Sequence, residues 1–268
     1  MRKLSYPGRS NILAQNGMVA TSNPLSSMVA INVLQKGGNA VDAAIAASAV
    51  QAVVCPSATG IGGDCFAIIS MNGKKPIAVN GSGIAPKKAN LQFYKDHKIK
   101  NIGLTSPHSV TIPGAVHAWC SMHEKFGRID FKEVLNGAEN FARKGFPVHE
   151  VEAIAWKENA TKLKKNPNSK RLFLNKNLSY SYGEVFKNIP LANTLRIISK
   201  NKIKGFYQSE ITKDMVKTLN KLGGLHTEED FYNQKTLFSK TITNSYRNLK
   251  IHQCPLNSPG LIVLMMMA

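Results

Sequence analysis

The spacing of apolar residues divides the first third of the chain into short, sharply bounded units. Met18–Thr21 reads as a brief β-type run. Asn23 then stands at an N-cap position with Pro24 as the first helical residue, where a missing N–H does no harm. Leu25, Met28, Val29 and Val33 fall on one face of the predicted helix, and Gly37 or Gly38 ends it. Asn39 caps a second helix, with Asp42 three residues on, close to a capping-box arrangement. From Ala43 to Val54 this helix is almost all Ala, Val and Ile, so it is expected to be buried on every face. Pro56 stops it. Gly60-Ile61-Gly62-Gly63 then turns the chain into an apolar strand, Phe66–Ser70. The runs Phe66–Met71 and Pro76–Asn80 flank Asn72-Gly73 and predict a hairpin.

Beyond the hairpin the pattern alternates between polar segments and amphipathic helices. Asn80–Pro86 carries two glycines at alternate positions, leaving its backbone open to close approach. Lys87–Lys100 reads as a charged surface segment, and Thr105–Gly114 as a loop and short strand leading into a helix whose apolar side is Ala115, Val116, Trp119 and Cys120. Asp130 and Glu133 have capping-box spacing, Ile129 and Val134 stand at hydrophobic-staple positions, and Val134, Leu135, Ala138, Phe141 and Ala142 line the helix that follows. Val148–Ser181 is polar and weakly periodic, read as a helix to about Lys165 and then a loop. Ile189–Ser199 is amphipathic. A further helix carries Ile211, Met215, Leu219 and Leu222 on one face, and Thr227 with Asp230 caps the next turn. Thr241–Thr243 and Leu249–Gln253 read as strands about a turn at Asn244–Asn248, and Pro259-Gly260 opens a last apolar helix.

Three linked blocks in this pattern, GMVATSNPLSS, KGGNAVDAAIAA and SATGIGGDCF, resemble the large-chain N-terminus of the gamma-glutamyltranspeptidase family in order and spacing. The runs SVTIPGAVHAW…FARKGFPV and FYQSEI…LNKLGGLHTEEDF extend the resemblance to the last residue. The resemblance implies an α+β, Ntn-hydrolase αββα sandwich of which residues 1–268 form a single partial domain, the large-chain part only. It also implies a precursor that cuts itself into large and small chains, and a new N-terminal Thr on the small chain that attacks an amide carbonyl with its own amine as base. No threonine here lies in that cleavage context. No catalytic residue is therefore assigned, and the chain is expected to be an incomplete large chain, inactive alone, whose partners are a missing small chain and a gamma-glutamyl or other amide substrate. A catalytically dead relative that binds a small molecule or a partner is the alternative.

One substrate-binding position is singled out by a departure from the family. Relatives carry an Arg four residues before the Pro of the segment matching Asn80–Pro86, where it grips a substrate carboxylate; here that position is Ser82. A hydroxyl cannot replace a bidentate guanidinium. Either the acyl specificity differs, nearer to the cephalosporin-acylase-like members, or the glutamyl group is held by other residues.

Composition narrows the remaining classes. The 268 residues carry a net charge of +19, a balance that nucleic-acid-binding proteins share. Only 6 of the 35 Lys and Arg lie in residues 1–86, and the rest are diffuse among Asn, Ile and Ser with no basic-aromatic motif; neither nucleic acid nor membrane is expected as a partner. MRKLSYPGRS lacks the apolar core of a secretory signal, which favours the cytoplasm, or the periplasm for a chain with an incomplete N-terminus. Cys55, Cys65, Cys120 and Cys254 have no ligand spacing. Cys65 is weighed as a reactive thiol against a small packed residue. His117, Cys120 and His123 are three apart on one helix but lack a fourth ligand, so no metal is assigned. Asp64, beside the glycine turn, either orients backbone or substrate or, the preferred reading, makes a local Asx-type bond within its own turn. No cofactor is implied.

Overall fold

The computed structural model describes residues 11–268. Helix α1, Pro24–Gln35, begins where Asn23 accepts a hydrogen bond from the Leu25 N–H. Helix α2, Ala40–Val54, begins at a complete capping box, with the Asn39 side chain receiving the Val41 and Asp42 N–H groups and Asp42 receiving that of Asn39. Asp42 is fully buried and also accepts from the Arg128 N–H, which ties the start of α2 to a loop 86 residues away. Strands β1, Cys65–Ile69, and β2, Ile77–Gly81, form the predicted hairpin, with Gly73 at φ 69° in its turn. Met18–Thr21 is not a strand. It finds no ladder partner, and Met18 is exposed.

Asn90 caps a short helix, α3, Leu91–Asp96, inside the charged surface segment Lys87–Lys100, and none of its residues is buried. The strand expected before Gly114 is instead a 3-10 turn at Pro107–Ser109 and an extended stretch that forms no ladder, its Ile112 N–H bonded to Ile84 O at 2.9 Å and its Val110 O to His226 Nε2 at 2.8 Å. Helices α4, Ala115–Phe126, and α5, Phe131–Lys144, follow. The second predicted capping box is reduced to a simple cap: Asp130 accepts the Lys132 N–H, while Glu133 pairs with Lys36 at 3.3 Å. The polar region from Val148 is more ordered than its weak periodicity predicts. Strand β3, Phe146–Pro147, precedes α6, Glu150–Lys164, and α7, Pro167–Phe173, is capped by Asn166. A hairpin of β4, Leu174–Asn175, and β5, Leu178–Ser179, leads to β6, Val185–Phe186, which pairs with β3. Trp156, Phe173, Tyr180 and Phe186 cluster here, and this aromatic packing supplies the order that helical periodicity did not announce.

Helix α8 runs Ile189–Tyr207, past the expected end at Ser199, across a break at Lys202 with φ 49°. Helix α9, Glu210–Lys221, and α10, Glu228–Tyr232, follow, the latter with the full Thr227–Asp230 capping box. Strand β7, Leu237–Lys240, joins β2, a pairing no local signal announced. Strands β8, Ile242–Tyr246, and β9, Leu249–Gln253, meet at Arg247-Asn248, both with positive φ, a tighter turn than Asn244–Asn248. Helix α11, Gly260–Met266, comes last.

The core is helical. Ile45, Val50 and Val53 of α2 meet Val134, Leu135 and Ala138 of α5, which in turn pack on Leu195 and Ile198 of α8. Each of the Val, Leu and Ile side chains, once fully buried, contributes about 1.5–3 kcal/mol over an exposed one. The antiparallel sheet β1-β2-β7 lies against α4. Helix α2 is not buried on every face: Ala40 and Ala44 are exposed, and Ser48 is half-buried. This open stripe borders a groove of about 400 Å³ shared with the free edge of β1, where Phe66 and Ile68 are exposed.

Candidate functional site

The segment Asn80–Pro86 leaves the end of β2 and is positioned by three glycine backbones. Gly81 faces Cys65 across the hairpin and packs directly against Ala118 of α4. A Cβ on Gly114 would collide with the carbonyl of Gly81. From the GIGG turn, the Gly63 carbonyl accepts the N–H groups of Gly114 (3.0 Å) and Ala115 (2.9 Å), which fixes the start of α4. The buried Tyr207 hydroxyl locks the same point, donating to Pro113 O at 2.6 Å and accepting from His117 N–H at 3.0 Å. Burial pushes its phenol far above the ordinary tyrosine range, so it stays a neutral donor and acceptor.

Side chains, one local and three from other segments, then claim the loop's own backbone. Ser82 N–H goes to Asn80 Oδ1 (2.9 Å), Gly83 N–H to Asp64 Oδ1 (2.8 Å), Ile84 N–H to Gln234 Oε1 (3.2 Å) and Lys87 N–H to Asp230 Oδ1 (2.9 Å). The buried Gln234 also donates from Nε2 to Ser82 O at 2.9 Å, gripping the loop on both sides of Gly83. Burial alone would raise the Asp230 carboxyl, but the bonds from Lys87 and Thr227 win and hold it below the usual carboxylate range. Asp64 therefore takes the first of its two expected roles, orienting backbone, in place of the preferred Asx-type bond within its own turn. It reaches across to the facing loop because the hairpin brings Gly83 to it.

What the loop presents outward is neutral. Ser82 Oγ donates to Asn257 Oδ1 at 3.1 Å, and Asn80 Nδ2 donates to the same oxygen at 2.9 Å. The N–H groups of residues 82 to 84 are all taken, and the charged side chains bonded to the loop are two carboxylates. Such a surface offers neutral hydrogen-bonding groups and no bidentate guanidinium at position 82. The sequence reading found Ser82 but missed Gln234 and Asn257, which lie in no recognisable motif. Asp230 was legible as a cap, its bond to Lys87 was not.

The other candidates separate. Burial pushes the Cys65 thiol up to about 11 and Cys120 to about 12, the opposite of an activated thiol. His117 bonds through Nδ1 to Thr236 Oγ1 at 2.8 Å, His123 Nε2 to Ile129 O at 2.7 Å, and His108 sits against Phe93 and Tyr94. Among the described residues, no group of three or more His, Cys, Asp or Glu side chains is placed to hold a metal ion, and no helix is long and apolar enough to cross a membrane.

Helices layered on an antiparallel sheet, with a glycine turn clamping the loop at the sheet's end, define the large-chain part of an Ntn-type hydrolase. The sequence pattern of the gamma-glutamyltranspeptidases matches residues 26–268, and the chain belongs to that family. It is 31% identical over 252 residues to the glutathione hydrolase-like YwrD proenzyme of Bacillus subtilis, covering 93% of this chain and 48% of that one. It is 30% identical to the glutathione hydrolase proenzyme of Escherichia coli, covering 93% of this chain and 44% of the relative. The structure of Helicobacter pylori gamma-glutamyltranspeptidase superposes with a TM-score of 0.88 at 31% identity, over 94% of this chain and 73% of that chain. A cephalosporin acylase from Bacillus halodurans does so with a TM-score of 0.87 at 31% identity, over 94% and 48%. The chain thus spans about half the length of the curated relatives it matches.

Proposed function

We propose that this chain is the large-chain part of an amide acyl transferase or hydrolase of the glutathione hydrolase type, and that it is inactive until a second, nucleophile-bearing chain joins it. The observation that carries this reading is the match over residues 26–268 to proteins of about twice the length whose names call them proenzymes. The open Ala40–Ala44–Ser48 stripe and the free β1 edge beside it provide an apolar surface for that second chain. The acyl group it handles ends in a neutral hydrogen-bonding group where it meets Ser82, a reading supported by the neutral side chains of Asn80, Ser82 and Asn257 there and by the lack of a guanidinium at position 82; Lys87 and Lys88, which follow the Pro, lack the fork geometry. A γ-glutamyl group is held, if at all, by residues of the second chain.

The purified 268-residue chain, assayed with γ-glutamyl-p-nitroanilide, is expected to release p-nitroaniline no faster than buffer. Clear turnover by the chain alone would overturn the proposal.

A further inference from the structure

A second feature lies at the opposite end of the sheet. Lys240 pairs with Ile77 at the start of β2, four residues and roughly 13 Å along the strand from Gly81. Here a groove of about 650 Å³ opens between β7 and the β8–β9 hairpin, lined by Lys75, Lys125, Lys240, Lys250 and His252. We propose that this groove binds a compact, multiply charged phosphate ligand, an oligophosphate.

Three observations carry this. All four lysines are exposed, and none stands within 4.0 Å of a carboxylate: the ion pairs among the described residues are Lys36–Glu133, His123–Asp42, Arg143–Glu139 and Lys213–Glu210. No acidic side chain lines the groove, so the lysines' mutual repulsion is offset by nothing within it. The groove is also built, not a chance gathering of tails. Lys125 Nζ lies 4.4 Å from the centre of the Phe238 ring, and His252 Nδ1 is bonded to Thr241 Oγ1 at 2.9 Å. His252 faces Thr243 across the hairpin, and Lys250, two residues along β9, projects from the same face.

The ligand class follows from the donors. Ammonium groups act as point charges on phosphate oxygens, and the neighbouring hydroxyls add neutral donors. A volume of this size matches one small ligand, not a polymer track. The chain's remaining cations are diffuse along the sequence, with no basic-aromatic motif of the kind that marks a nucleic-acid track.

Titration calorimetry of the 268-residue chain with tripolyphosphate, at low and high salt, tests the proposal. Saturable binding is expected, weakened at high salt. The double variant K240Q/K250Q should lose about tenfold in affinity, whereas Lys217→Gln, on the remote exposed face of α9, should change it by less than about twofold. Both substitutions lie on the surface, and circular dichroism matching the parent keeps folding out of the comparison. Absence of saturable binding, or an equal loss in Lys217→Gln, would overturn the site. A single-stranded oligonucleotide that displaces tripolyphosphate from the same lysines at lower concentration would overturn the compact ligand in favour of nucleic acid.

Discussion

Asn257 Oδ1 receives both Asn80 and Ser82, so the polar groups at the outer face of the loop are already committed to one another. A substrate carboxylate arriving there would meet no free N–H from residues 82 to 84 and no guanidinium at position 82. Introducing Arg at this position supplies a bidentate, charge-assisted partner worth roughly 1.5–3 kcal/mol. In the assembled two-chain enzyme, Ser82→Arg is therefore expected to lower KM for a γ-glutamyl substrate about tenfold or more with little change in kcat. Unchanged steady-state kinetics would count against a neutral acyl end. Little of this was readable beforehand. Ser82 stood out because a particular side chain was missing, but the partners that shape its loop come from 150 and 175 residues away.

At the scale of elements, the controlling contact is the approach of β2 to the start of α4. Gly81 and Gly114 touch backbone to backbone, and the only flexible neighbour is none at all: a Cβ on Gly114 would meet the Gly81 carbonyl and the backbone of Ser82. Gly114→Ala should destabilise the fold by about 3 kcal/mol, read as a lowered urea midpoint, because the clash falls on backbone that is itself hydrogen-bonded. An unchanged midpoint would show that the two elements slide apart freely. The elements themselves were largely legible. Asn23, Asn39 and Thr227 cap helices within three residues of themselves, and Asn72-Gly73 closes a hairpin with its own neighbours. The misreadings are where order comes from elsewhere: β7 exists because β2 offers it an edge, and the open stripe of α2 has the same small residues as its buried faces.

For the whole molecule, buried titratable groups set how stability responds to acid. Burial lowers the pKa of both His117 and His226, the latter with its Nε2 bonded to Val110 O at 2.8 Å. The unfolded chain takes up protons on these imidazoles first, near pH 6.5, so their contribution is complete above that pH and is lost progressively below it. Asp230, held low in the folded state, adds a loss that begins only as pH falls below about 4. Urea midpoints should fall between pH 7.5 and 5.5, and again in the carboxylate range. A flat profile across the first interval would mean that the two histidines are not buried as neutral groups.

The sequence by itself determined the family, the capped helices, the hairpin and the absence of a guanidinium at position 82, because each depends on residues a few places apart or on a pattern carried in order along the chain. The tertiary structure alone decided that Asp64, Gln234 and Asn257 converge on the Ser82 loop, that α2 keeps one face open beside the free edge of β1, and that four lysines from a hairpin connection, a helix and two strands share one groove. Those are contacts between segments far apart in the chain, fixed by packing, and no local spacing encodes them.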